Sequence, residues 1–258
     1  MIGLNDYLHP KDRQLFGQLL EQKAVTRLFD WCRKNCLDEA YQYAYQASCL
    51  RITEKTLPSV YRIIEKACRE FGVKIPKCYL SHNYDRKAEL AGIFEPILIF
   101  SEEYIDRAGS ERLYGTVAGQ AAGIAAGHYR GLGLEWIFEV CADLLPVPQA
   151  GLTAVKALLN DWKRCRWFTC DRAFFLATKN YSLTLESLFD LNVPEEILSR
   201  FRLGTGRDGY QRQLLRYKEA SAPAEIAGMI QSLQTDTAWI PERYTELQAF
   251  CSSRLEGG

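Results

Sequence analysis

The chain has 258 residues, with 32 lysines and arginines set against 32 aspartates and glutamates, and 47% of its residues are hydrophobic. That length and apolar content suffice for a sizeable buried core and argue against disorder. The balanced charge removes the electrostatic case for nucleic acid or an anionic membrane as partner.

The N-terminal stretch "MIGLNDYLHPKDRQLF" lacks a basic start followed by an apolar run, so no secretory signal is expected and the chain reads as cytoplasmic. Nine cysteines include no CxxC; the closest spacings are Cys32/Cys36 and Cys165/Cys170. In a reducing compartment they read as buried small hydrophobes. From Lys11 to about Phe71, "KDRQLFGQLLEQ", "AVTRLFDWCRKNCLDEAYQYAYQASCL" and "LPSVYRIIEKACREF" carry apolar residues at three- and four-residue spacing, which predicts helices. Gly72 is placed to cap the last of them.

After "VKIP", the segment "KCYLSHN" reads as extended, and "AELAGIF" and "PILIFS" as two short strands joined near Glu95-Pro96. Ser101 followed by two glutamates predicts a helix start. Long helices are expected near 110–130 and 150–180, with a shorter one near 182–191. The apolar window from Leu134 to Leu159 is broken by Glu135, Glu139, Asp143, Pro146 and Pro148, so it reads as two amphipathic segments and not as a membrane span. Asn192 and Pro194 open a further helix, 202–210 is a loop, and helices at 216–234 and 241–253 close the chain. The fold expected is α+β, mainly helical, with a small sheet in one domain spanning 1–258. Its parts are a helical segment 1–75, a core 76–181 and a helical segment 182–258.

One helix stands out. "LYGTVAGQAAGIAAGHYR", residues 113–130, places Gly115, Gly119, Gly123 and Gly127 at intervals of four. Each glycine costs a helix up to about 1 kcal/mol against alanine. A ridge of glycines lets another backbone or a bulky side chain come close.

Two strands, a helix start, and a long helix ending in Gly127-His128 resemble the HtpX and CAAX-prenyl-protease family of zinc metallopeptidases, a gluzincin family of zincin-like fold. There the helix carries HExxH, whose histidines bind zinc and whose glutamate is the general base. The resemblance puts the two histidine positions at Gly119 and Gly123 and the base at Gln120. The second helix matches through "RWFTCDRAFFLAT", with Asp171, Arg172 and Ala173 on the family's aspartate-arginine-alanine and Trp167 on its glutamate ligand. "IPERYTEL" resembles the family's closing segment, with Arg243 on its arginine, and Lys87-Ala88 stands where the family has asparagine-alanine. Gly127, His128, Asp171, Arg172 and Arg243 are thus the matching support residues.

Glycine offers no donor atom, the tryptophan indole offers only an N–H, and Gln120 cannot accept a proton near neutral pH. The degenerate GQAAG motif therefore leaves no catalytic residue or metal ligand intact, and no cofactor is expected where the family holds zinc. The resemblance places Trp167 opposite Gly119 and Gly123, so its ring is expected to fill the vacated space. His128, five residues past Gly123, is expected to point away from the old ligand face and to complement the helix dipole. Asp171 and Arg172 read as a salt bridge or cap.

Gly204, Gly206 and Gly209 spell GxGxxG in "GTGRDG", but no βαβ unit surrounds them, so a surface loop is expected. In zinc peptidases of this architecture an edge strand holds extended substrate by backbone pairing. Here that strand would be Pro96, Ile97, Leu98, Ile99, Phe100 and Ser101, able to dock a peptide without cutting it. The expectation is a pseudopeptidase that binds peptide segments or another protein, without nucleic acid or membrane insertion. The alternatives are an active zinc metalloendopeptidase with a rearranged site, or a regulatory partner subunit of an active relative.

Overall fold

Apolar spacing in the N-terminal part does produce helices: α1 (Leu4–Tyr7), α2 (Pro10–Leu20), α3 (Lys23–Lys34), α4 (Leu37–Ser48) and α5 (Pro58–Glu70). A computed structural model describes residues 1–82, 88–141, 144–145, 149–190 and 240–255. The chain divides into two compact units, Met1–Lys179 and Asn180–Gly258.

Local signals set most boundaries. Pro58 occupies the first turn of α5, where its missing N–H costs nothing. Gly72 ends that helix at φ 67°; Val73 N–H donates to Cys68 O at 2.9 Å and Gly72 N–H to Arg69 O at 3.3 Å, which is a Schellman closure. The run 24–50, which reads as one helix, is two. Cys36 adopts φ 53° between α3 and α4, and Leu50 leaves the helix to begin a strand. A single left-handed residue leaves the apolar spacing on either side intact, so periodicity alone reads through it.

Four strands form one mixed sheet, β1 (Leu50–Ile52), β2 (Lys77–Ser81), β3 (Ala88–Ala91) and β4 (Ile97–Ser101), in the order β1-β2-β4-β3. β1 and β2 are antiparallel, β2 and β4 parallel, β3 and β4 antiparallel. All five β4 residues are buried, which suits an apolar strand covered on both faces. Gly92 turns the chain between β3 and β4 at φ 125°. Asp38 on α4 holds that turn, its Oδ1 accepting from the N–H groups of Ile93 (3.2 Å), Phe94 (2.8 Å) and Glu95 (3.4 Å).

Ser101 caps α6 (Glu102–Arg107) by accepting from Tyr104 N–H at 3.4 Å. The helix expected over 110–130 is two, α7 (Ser110–Ala125) and α8 (His128–Val140), separated by Gly127 at φ 76°. α9 (Gln149–Thr178) follows and packs along α7. The second unit holds α10 (Tyr181–Asp190) and α11 (Ile240–Leu255), which pack on each other. The described part is thus mainly helical with a small mixed sheet, and none of its helices is long and apolar enough to cross a membrane. The expectations at Lys87, Asn192, Pro194, the 202–210 loop and the 216–234 helix lie outside the described residues. Seven of the nine cysteines are buried and all nine are free thiols; burial raises Cys32 and Cys68 to about 12, which keeps them unreactive.

Two helical glycines separate the local cost of glycine from its packing role. A Cβ on Gly17 in α2 would meet nothing within 4 Å, whereas one on Gly115 in α7 would lie 2.5 Å from the Phe174 ring. Gly17→Ala is expected to stabilise by roughly 0.5–1 kcal/mol, and Gly115→Ala to destabilise by about 1–3 kcal/mol. Urea unfolding of both variants checks this; the same sign for both would contradict the α7–α9 packing.

Candidate functional site

The four glycines of 113–130 serve different ends. Gly115 makes room for the Phe174 ring; Gly119 faces Cys170, where a Cβ would lie 3.1 Å from the carbonyl oxygen and 3.4 Å from Cys170 Cβ. A Cβ on Gly123 would lie 3.1 Å from Leu90 Cδ2 and 3.3 Å from His128 Nδ1. Gly127 supplies the left-handed break. The space over Gly119 and Gly123 is therefore taken by the α9 backbone, a β3 leucine and an imidazole. It is not taken by Trp167, which corrects the expectation. Trp167 is half-buried on α9 and stacks under the Arg166 guanidinium, whose Cζ is 4.4 Å from the ring centroid.

Gln120, at the position matched to the general base, is 3% exposed. Its Nε2 donates to Ala88 O on β3 at 3.4 Å, so the side chain ties α7 to the sheet. Its Oε1 is buried without a partner. An amide here can donate and accept but cannot take up a proton.

His128 also departs from expectation. It opens α8, so it does not sit at a helix C-terminus, and the bend at Gly127 carries its ring back beside Gly123. The ring is 1% exposed, edge-on to Phe16 and Trp162, with Nε2 3.0 Å from Asp12 Oδ2. Asp12 on α2 is fully buried. Its Oδ1 accepts from Trp162 Nε1 at 2.8 Å and its Oδ2 from Thr169 Oγ1. The same Thr169 hydroxyl accepts from His9 N–H at 3.1 Å, and His9 Nδ1 accepts from Lys11 N–H at 3.2 Å. One carboxylate thus joins α2, α8 and α9. Burial alone would raise its pKa; the neighbouring His128 ring and the hydrogen bonds from Thr169 and Trp162 outweigh it and hold the carboxyl below its ordinary value. Sealed from solvent, this cluster ties three helices together.

Three sequence expectations are corrected or placed here. The segment 96–101 is not an edge: β4 lies between β2 and β3, so its backbone is already paired on both sides. The edges among the described residues are β1 and β3. Asp171 is buried and Arg172 half-buried on α9, while Arg243 is buried in α11 of the other unit. Among the described residues no group of three His, Cys, Asp or Glu side chains is placed to hold a metal ion. Nor do the matched positions fit zinc, since Gly119 has clearance for little more than a hydrogen and the indole and amide are poor ligands.

Asp12 and Asp38 carry long-range roles that the sequence reading missed. Asp12 reads locally as a first-turn acid and Asp38 as another; only the three-dimensional contacts, 150 and 55 residues away, show what they hold.

No family model, curated protein or solved structure matches the chain. The likeness to HtpX-type peptidases rests on the residue pattern alone.

Removing Asp12 should expose its weight. Asp12→Ala leaves His128, Trp162 and Thr169 facing an uncompensated gap and is expected to cost about 3–5 kcal/mol. Because the folded pKa lies below the unfolded value of about 3.9, the carboxylate's contribution is complete above that value and is lost as pH falls through the folded one. Urea midpoints measured from about pH 5 to pH 3 should fall less steeply in Asp12→Asn than in the parent. Parallel slopes would contradict the assignment.

Proposed function

We propose that the chain is a metallopeptidase-like protein of the HtpX and CAAX-prenyl-protease type that binds protein segments and does not cut them. One observation carries the reading. The positions matched to two zinc ligands, the general base and the third ligand are Gly119, Gly123, Gln120 and Trp167, and at Gly119 the two helices that would flank a metal are in contact. Hydrolysis by this mechanism needs a bound water, a metal to polarise it and a base to deprotonate it; these side chains supply none of the three. The small mixed sheet beside α7, and α9 packed along it, support a zincin-like architecture.

Binding requires less than chemistry. An extended segment joins a sheet through backbone N–H and C=O groups, with no catalytic residue. β3 is the edge strand next to α7 and α8, and among the described residues no strand pairs with its outer side. We place the docking edge there, in place of β4.

The register is tested by restoring the ligands. Gly119→His, Gln120→Glu, Gly123→His and Trp167→Glu, made together, should create zinc binding measurable by titration with a chromophoric chelator. Each new imidazole must also push Cys170, Leu90 or His128 aside. The metal-free variant should therefore melt lower than the parent, and added zinc should restore part of the loss. No gain in zinc affinity would contradict the register. Chelator-sensitive cleavage of peptides by the unmodified chain would contradict the loss of chemistry.

A further inference from the structure

Arginine 166 lies on α9 at 4% exposure. Its guanidinium stacks on the Trp167 ring, and its Nε is sealed from solvent with no acceptor. Stacking uses the face of the guanidinium and leaves its in-plane edge, Nε–H included, for an acceptor. An arginine keeps its charge when buried, so the protein cannot relieve the position by neutralising it.

Three carboxylates on α9 or bonded to it are committed elsewhere. Asp12 receives Trp162, Thr169 and His128; Glu135 pairs with Lys163; Asp161 pairs with Arg164. Among the described residues none of them pairs with Arg166, which stacks on Trp167. A buried cation in a well-packed region is ordinarily paired and hydrogen-bonded.

We propose that Arg166 anchors a site for an oxyanion, a carboxylate or a phosphate. The anion's oxygens take the Nε–H and Nη–H edge side-on, in the bidentate geometry that arginine offers and lysine does not. Trp167, stacked on the face, fixes the plane of the fork. The role assigned to Trp167 thereby changes from filling a vacated metal site to holding a cation. This inference rests on the donor and acceptor accounting around α9 and is independent of the peptidase register.

Thermal unfolding of the full chain in sodium phosphate, sodium acetate and sodium chloride at matched ionic strength tests it. The parent is expected to gain roughly 2–4 °C in midpoint from an oxyanion over chloride at saturating concentration. A gain from both oxyanions assigns the site to carboxylates as well as phosphates; a gain from phosphate alone assigns it to phosphate. Arg166→Met is expected to lose the gain and to melt no lower than the parent in chloride. Arg166→Lys preserves the charge without the fork and is expected to lose more than half of the gain, which serves should the methionine variant not fold. No oxyanion-specific gain in the parent, or one undiminished in either variant, overturns the proposal.

Discussion

Helix α7 meets helix α9 at Gly119 with almost no side chain between them: the α9 partner is the backbone and Cβ of Cys170. Much of the larger unit depends on this close approach. One turn earlier it seats the Phe174 ring over Gly115, and one turn later the bend at Gly127 returns His128 to the flank of Gly123. Glycine is a poor helix former, and in α7 its cost is offset by dispersion contacts that any larger side chain would prevent. The same contact decides what chemistry is possible. Where a zinc peptidase needs two imidazoles and a metal between its helices, this chain has van der Waals contact.

The buried Asp12 cluster complements that apolar seam with a polar one. α2 is fixed to α8 and α9 by a carboxylate that accepts from an indole and a hydroxyl and lies against an imidazole. Because the groups sit in a low-dielectric interior, each is strong when satisfied and costly when left alone. Asp38 plays a similar part at the β3–β4 turn, where one carboxylate oxygen gathers three backbone N–H groups. Both aspartates hold elements distant in sequence.

How much of this the sequence disclosed depended on range. Pro58 and Gly72 delimit α5, and Ser101 caps α6, through neighbours a few residues away; such signals are local and were readable. The strands at 88–91 and 97–101 were readable from composition. The place of β4 at the centre of the sheet was not, because it depends on pairing with Lys77–Ser81, a segment whose only sequence signal is its extended character. The breaks at Cys36 and Gly127 were missed because each left-handed residue changes the chain's direction without disturbing the apolar repeat. At the candidate site, the lack of metal-ligating atoms at Gly119, Gly123 and Trp167 was legible as residue identity. What occupies the space was not, since Cys170, Leu90 and His128 come from three elements.

The closest single test of the α7–α9 contact is a cross-link. The Cβ of a residue at position 119 would lie 3.4 Å from the Cβ of Cys170, at the short end of the separation that a disulfide spans, about 3.5–4.5 Å. Gly119→Cys, oxidised mildly in the folded state and mapped by proteolysis and mass spectrometry, should show position 119 joined to Cys170. Recovery of Cys170 as a free thiol, with position 119 unbridged or joined to another cysteine, would contradict the closed helix pair.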